Sequence, residues 1–195
     1  MKSLTLRAGL ALLCASTLAA CGGGSGSLVL QATINSLTKD GLILTSGPDS
    51  VTVAANTTVV QFPTLVGSED TYDIEIKQQP THATCTLVNN KQKANVYTVV
   101  QPVVNCVTDS YILGGNVSGL TGIGLVIANG NDQVSVAPAS PSGASVFFKF
   151  PTKVADGAPF GVTILAQPQG QTCVASNNTG TMPSGDALGL IVTCH

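Results

Sequence analysis

Apolar and charged residues alternate without a break in the stretch Tyr72-Asp73-Ile74-Glu75-Ile76-Lys77. Successive side chains of a β-strand point to opposite faces, so the apolar residues share one face and the charged residues share the other. A strand of this kind packs against a core on one side and meets solvent on the other. The pattern therefore predicts a half-buried β-strand at this point of the chain.

Similar alternation occurs elsewhere in the chain. The segment Phe160-Gly161-Val162-Thr163-Ile164 keeps the apolar phase, and further strands are indicated by Val51 with Val53 and by Val134 with Val136. The predicted strands are short and are separated by Gly, Pro, Asn and Asp, and no helical periodicity of convincing length occurs. The chain is therefore predicted to be all-β.

An internal duplication organises the chain, because residues 28–108 align with residues 111–195 in a register that holds over long stretches. The offset is first 83 and then 88, and the aligned pairs include Leu30 with Leu113, Asp49 with Asp132, Phe62-Pro63-Thr64 with Phe150-Pro151-Thr152, Gln79-Pro80 with Gln167-Pro168, and Asn89-Asn90 with Asn177-Asn178. The extra residues of the second copy fall in or near residues 138–143. We expect them to form a longer surface loop.

Each copy is predicted to fold as a β-sandwich of about seven short strands, at the spacing of an immunoglobulin-like sandwich. Its first strand has one buried face, on which the aligned pairs are Leu28 with Tyr111, Leu30 with Leu113, Ala32 with Gly115, and Ile34 with Val117. The predicted fold is two tandem immunoglobulin-like repeats, 28–108 and 111–195, joined by a linker at residues 109–110.

A longer pattern is most complete in the second copy. It runs Tyr-Ile-Leu-Gly-Gly-Asn-Val-Ser-Gly-Leu-Thr-Gly-Ile-Gly-Leu-Val-Ile from Tyr111, then Asn129-Gly130-Asn131-Asp132, Phe150-Pro151-Thr152, residues 167–173 and Val192-Thr193-Cys194. This pattern resembles a repeat that is common in secreted and lipid-anchored envelope proteins of Gram-negative bacteria. The first copy departs from it at Gln31-Ala32 and at His82-Ala83. The resemblance implies an architecture without any attached activity.

The composition excludes several classes of protein. The 195 residues include 8 Lys plus Arg and 10 Asp plus Glu, and 9 % of the chain is charged. This low charged fraction, with no Trp, 21 Gly and 10 Pro, argues against a coiled coil, a helical bundle and a charged disordered tail. Since the formal charge is −2, no basic excess is present to neutralise phosphates, and nucleic acid is not an expected partner.

The first 20 residues have the features of a secretory signal peptide. Lys2 and Arg7 give a positive start, and residues 8–20 are almost entirely apolar or small. This apolar stretch is shorter than the roughly 20 residues that a helix needs to span a bilayer. We therefore expect the segment to be removed and not retained as a transmembrane helix.

The signal peptide ends in Leu18-Ala19-Ala20-Cys21, which resembles the lipobox of bacterial lipoproteins. The resemblance implies cleavage before Cys21 and diacylation of its thiol, so that the membrane is a partner through this lipid anchor. Residues 21–27 then form the lipidated cysteine and a flexible Gly/Ser tether. Because Gly22 is not Asp, the resemblance further implies the outer membrane. The alternative is ordinary signal cleavage that leaves Cys21 as a free thiol.

The cysteines that follow the lipid site fall into two pairs with equal spacing. Each pair is separated by 21 residues, and the pairs are Cys85 with Cys106 and Cys173 with Cys194. An exported chain reaches an oxidising compartment, so one disulfide is expected within each repeat. The alternative, a zinc site of four thiolates, lacks the short Cys-x₂-Cys spacing.

Polar candidates for chemistry are few. Neither His82 nor His195 is accompanied by a serine or acid motif that would make a nucleophile and base, so both are interpreted as solvated. Glu69, Asp70, Asp73 and Glu75 are close enough in sequence to suggest a glycosidase pair. The strand pattern instead places Asp73 and Glu75 on a solvated outward face.

The segment Asn129-Gly130-Asn131-Asp132 could ligate calcium through oxygen atoms, but it is too short for a complete site and is interpreted as a hairpin turn. No phosphate loop, nucleotide fingerprint or metalloprotease motif occurs in the chain. No cofactor and no metal are therefore expected.

The sequence thus favours a non-enzymatic binding or adhesion module with an unknown protein or glycan partner. A purely structural envelope component is the first alternative, and a hydrolase would need a convergent polar pocket that the sequence does not supply. Phe147 and Phe148 are the best candidates for an exposed aromatic contact, although one of two adjacent strand residues normally points inward.

Overall fold

The computed structural model describes residues 27–95 and 101–195, and every regular element in those ranges is a β-strand. Within them, no helix is long and apolar enough to cross a membrane. The protein is all-β, with two tandem immunoglobulin-like β-sandwiches, as the sequence predicts.

The first repeat contains ten strands, which are β1 (Ser27–Leu28), β2 (Gln31–Asn35), β3 (Leu42–Ser46), β4 (Asp49–Val53), β5 (Val59–Gln61), β6 (Val66–Gly67), β7 (Thr71–Gln78), β8 (Ala83–Val88), β9 (Lys91–Lys93) and β10 (Val103–Thr108). One large sheet has the order β5-β2-β10-β8 and the other has the order β4-β3-β7-β9, while β1 and β6 form a separate short pair. Eight strands thus build the two large sheets, against the seven expected.

The second repeat has the same topology. Its strands are β11 (Ser110–Tyr111), β12 (Leu113–Ser118), β13 (Leu125–Asn129), β14 (Asp132–Val136), β15 (Val146–Lys149), β16 (Val154–Ala155), β17 (Pro159–Ala166), β18 (Cys173–Ser176), β19 (Thr179–Thr181) and β20 (Ala187–Cys194). The large sheets have the orders β15-β12-β20-β18 and β14-β13-β17-β19. The longer loop expected in this copy is confirmed, since residues 137–145 connect β14 to β15 where residues 54–58 connect β4 to β5.

Each repeat has its own hydrophobic core between its two large sheets. Leu42, Leu44 and Ile74 are fully buried in the first core, and Leu125, Ile127 and Val162 occupy the second. The alternation that predicted β7 is confirmed, because Tyr72 and Ile74 are buried while Glu75 is exposed.

The first and last long strands of each repeat pair in parallel. In the first repeat β2 runs beside β10, and in the second β12 runs beside β20. The second pair approaches closely at Gly115, where an added Cβ would overlap the carbonyl oxygen of Leu190. The aligned residue of the first repeat, Ala32, is fully buried in a pair whose register has no such irregularity.

Candidate functional site

The polar residues that the two repeats share are used to hold the fold. The side-chain amide of Gln79 accepts a hydrogen bond from the Cys85 N–H at 2.7 Å and donates one to the Cys85 carbonyl at 3.0 Å. Gln167 makes the same two bonds to Cys173, at 2.7 and 3.1 Å. Each glutamine side chain therefore makes with a disulfide cysteine the two hydrogen bonds that the backbone of a neighbouring strand would make.

Two further aligned pairs have equally structural roles. Asp49 accepts a hydrogen bond from the Thr64 N–H at 2.8 Å, and Asp132 accepts one from the Thr152 N–H at 2.9 Å. A second pair, Asn90 and Asn178, donates to the carbonyls of Ile74 and Val162 at 3.1 and 2.9 Å. These carboxylates and amides are bonded to backbone groups, and Asp49 also lines an open surface cavity with Asp70 and Asp73.

The acidic candidates lie on the surface of the first repeat. Glu75 is exposed, and Asp73 pairs with Lys91 at 2.7 Å on the outward side of the sheet. This contact raises the pKa of Lys91. The hydrogen bond to Asp73 is the largest cause, and the negative charge of Asp73 is the next. The solvated interpretation of the β7 carboxylates is confirmed.

The segment from Asn129 to Asp132 forms a two-residue hairpin turn between β13 and β14, as expected. Gly130 occupies the left-handed region with φ of 58°, a conformation that glycine adopts without strain. No group of three or more His, Cys, Asp or Glu residues that could hold a metal ion occurs among residues 27–95 and 101–195.

Both expected disulfides are present, and each lies within a single sheet. Cys85 bonds to Cys106 and Cys173 bonds to Cys194. In each repeat the two cysteines face each other on neighbouring antiparallel strands, so the bond lies within one sheet. It does not cross between the sheets, as the disulfide of antibody domains does. Cys21, the expected lipid site, and Cys14 lie outside the described residues.

The outward sides of the two disulfide-bearing sheets are the candidate binding surfaces. Outer face 1 consists of Gln31, Thr33, Asn35, Val59, Gln61, Thr84, Thr86, Val88, Val103, Asn105 and Val107. Outer face 2 consists of Asn116, Ser118, Phe147, Lys149, Val174, Ser176, Ile191 and Thr193. The two faces occupy equivalent positions in the duplicated fold.

Exposed hydrophobic side chains concentrate on these faces. Among the described residues eleven large hydrophobics are exposed, and six of them belong to the outer faces: Val59, Val88, Val107, Phe147, Val174 and Ile191. Phe147 is 53 % exposed while its neighbour Phe148 is buried, so one of the two candidate aromatic residues lies on the surface and the other points inward. Exposed hydrophobic residues that concentrate on one surface are typical of interaction sites.

On each face several hydrophobic residues lie in one row across the sheet, whereas Val107 and Val174 lie outside these rows. In face 1 the strand register places Val59, Thr33, Val103 and Val88 side by side, and in face 2 it places Phe147, Asn116, Ile191 and Ser176 in the same order. On face 1, a row of amides and hydroxyls lies next to the row that contains Val59. In this polar row Asn35 donates a hydrogen bond to Asn105 at 2.9 Å.

A second polar cluster connects the two repeats. Lys39 of the first repeat lies 2.5 Å from Asp156 of the second, and the side chain of Asp156 is only 5 % exposed. The hydrogen bonds from Lys39 and then from Ser184 hold the pKa of Asp156 below its usual value of 3.8. We call this contact the junction ion pair.

Asp109 connects β10 directly to β11, and its backbone is hydrogen-bonded to both repeats. Its N–H donates to the His82 carbonyl at 2.9 Å, and its carbonyl accepts from the Asp156 N–H at 2.8 Å. The Tyr111 hydroxyl lies 3.4 Å from His82 Nδ1. His82, interpreted as solvated, is exposed and lies at this junction, while His195 is exposed at the end of the chain.

Sequence reasoning missed the junction ion pair, although the duplication contains a signal for it. Lys39 aligns with Gly122 and Asp156 aligns with Ser68, so each charge is absent from the opposite copy. A charged residue that occurs in only one copy is a candidate for a contact between the repeats, because a contact within a repeat would be needed in both copies.

No protein-family model and no curated protein matches the chain. Among solved structures it is similar to the major pilin protein T-13 of Streptococcus pyogenes, with 10 % identity, coverage of 88 % of this chain and 97 % of that chain, and a TM-score of 0.31. The major pilin protein T3.2 of the same species gives 11 % identity, the same coverages and a TM-score of 0.29.

Proposed function

We propose that the chain is a lipid-anchored protein of the cell envelope, attached to the outer membrane through Cys21, that acts by binding and not by catalysis. The observation that carries the proposal is the concentration of exposed hydrophobic residues on outer faces 1 and 2. Both copies place hydrophobic residues at two aligned positions of this sheet, which are Val59 with Phe147 and Val103 with Ile191.

The roles of the shared polar residues support a non-enzymatic function. Catalysis by acid, base or nucleophile needs polar groups that are free to converge on a substrate. The carboxylates and amides common to both repeats are instead bonded to backbone groups of the same repeat.

The anchor is tested by detergent partitioning of the full chain and of a Cys21→Ser variant after signal removal. We expect the wild type in the detergent phase and the variant in the aqueous phase, with both disulfides intact by mass. A Cys21→Ser protein that still enters the detergent phase would contradict lipid attachment. Protease treatment of intact cells then reports whether the repeats face the outside.

Binding is tested with the purified Cys21→Ser protein on arrays of immobilised glycans and envelope proteins. The variant Phe147→Asn changes outer face 2, and Leu165→Asn is its matched control, because Leu165 is 57 % exposed on a strand of the other large sheet. We expect a partner whose binding is lost in Phe147→Asn and kept in Leu165→Asn. Absence of any wild-type binding would favour the alternative, a structural envelope component.

A further inference from the structure

We infer that the partner of outer faces 1 and 2 is a second copy of this chain. This inference rests on the proposed function, because it names the occupant of the same faces. The argument uses the charge, the hydrogen-bonding character and the area of the faces.

The faces are almost free of charge. Outer face 1 contains no charged residue, whereas the outward side of the other large sheet of that repeat carries Asp73, Glu75, Lys77, Lys91 and Lys93. Outer face 2 carries one charge, Lys149, on its edge strand β15. A face can meet an identical face only where like charges do not oppose one another. Among the outward sheet surfaces of the first repeat, face 1 meets that condition.

The polar groups of the faces are self-complementary. Asn35, Asn105 and Thr86 have side chains that can both donate and accept hydrogen bonds, so the same row can pair with its own copy. The neighbouring row, which contains Val59, Val103 and Val88, supplies apolar area that is more favourable when buried than when exposed to water. A two-fold pair of identical faces is the arrangement that such a surface favours.

The area decides how many faces must take part. Four strands spaced about 4.8 Å apart, with about three outward residues along each, give a face of roughly 350 Å². One pair of faces would bury roughly 700 Å² in total, which is below the roughly 1,000 Å² that a specific interface needs. Two pairs bury roughly 1,400 Å², within the range of stable complexes. We therefore expect both repeats of each copy to contribute.

The test is sedimentation equilibrium of the soluble Cys21→Ser protein across a range of concentrations. We expect a reversible monomer–dimer equilibrium. Val88→Lys on face 1 and Phe147→Lys on face 2 each place a charge within the apolar part of the interface, and each is expected to weaken dimerisation by about tenfold or more. The matched control, Leu165→Lys, is expected to leave the equilibrium unchanged.

Several outcomes would overturn the inference. These are a wild-type protein that stays monomeric at all concentrations, a Leu165→Lys effect equal to that of Phe147→Lys, or open-ended oligomers, which need faces that point in opposite directions. Intact disulfides and unchanged melting temperatures show that each variant is folded. If the wild type is monomeric but binds a foreign partner through Phe147, the inference fails while the proposed function stands.

Discussion

Gln79 and Gln167 hold the disulfide cysteines through both ends of the side-chain amide. Strand β7 and its counterpart β17 end beside these glutamines, so the amide continues the hydrogen bonding where the regular ladder stops. Such a residue contributes to stability without any part in chemistry. Its recurrence at the same place in both copies is explained by the fold.

We predict that Gln79→Ala destabilises the first repeat and Gln167→Ala the second, each by about 1–2 kcal/mol, because two hydrogen bonds to the cysteine backbone are lost. The free energy of unfolding in urea measures the effect. Gln61→Ala, at an exposed position of outer face 1, is the control and should change stability by less than about 0.5 kcal/mol. Equal effects of Gln79→Ala and Gln61→Ala would contradict the structural role.

At the scale of the elements, each disulfide ties two neighbouring strands of one sheet. Cys85 on β8 faces Cys106 on β10, and Cys173 on β18 faces Cys194 on β20. The bond therefore closes the segment that includes β9 or β19 and fixes the strand that ends the repeat.

We predict that reduction lowers the free energy of unfolding of each repeat by about 3 kcal/mol in the chain-entropy model. A double variant, Cys173→Ala with Cys194→Ala, should lower the stability of the second repeat alone, because the two hydrophobic cores share no residue. Scanning calorimetry separates the two transitions. Peptide mapping without reduction is the control, and a Cys85 to Cys173 link would contradict the division into two repeats.

Most of this element-level arrangement could be predicted from the sequence. Period-two alternation located β7 and β17, and the duplication transferred each assignment to the other copy. The sheet that carries each cysteine could not be predicted, because a separation of 21 residues allows a partner on the same or the opposite sheet. The outer faces were missed for a related reason, since β-strand pairing, and not chain order, brings Val59, Thr33 and Val103 into one row.

At the scale of the whole molecule, the two repeats are joined by polar contacts. Asp109 is bonded on both sides, and the junction ion pair connects Lys39 to Asp156. The orientation of the repeats therefore depends on groups that respond to acid.

We predict that acidification releases the junction. The pKa of folded Asp156 is lowered, so its contribution is fully present above the unfolded value near 3.8 and is lost as the pH falls through the lower, folded value. Residual dipolar couplings should give one alignment tensor for both repeats at pH 7 and two different tensors in acid.

The variant Asp156→Asn should reproduce the acid behaviour at pH 7. Asp73→Asn is the matched control, because it removes a surface ion pair with Lys91 inside one repeat. A single tensor in Asp156→Asn, or two tensors in Asp73→Asn, would contradict the role of the junction ion pair.

The parallel pairing of β2 with β10, and of β12 with β20, has a mechanical consequence. When the chain is pulled from its ends, these strands are drawn lengthwise past each other, and all of their hydrogen bonds carry the load together. The residues enclosed between Cys85 and Cys106, and between Cys173 and Cys194, add nothing to the stretched length while the disulfides are intact. Each repeat therefore resists tension through hydrogen bonds that are loaded together, and its length after unfolding is reduced only by the segment that the disulfide encloses.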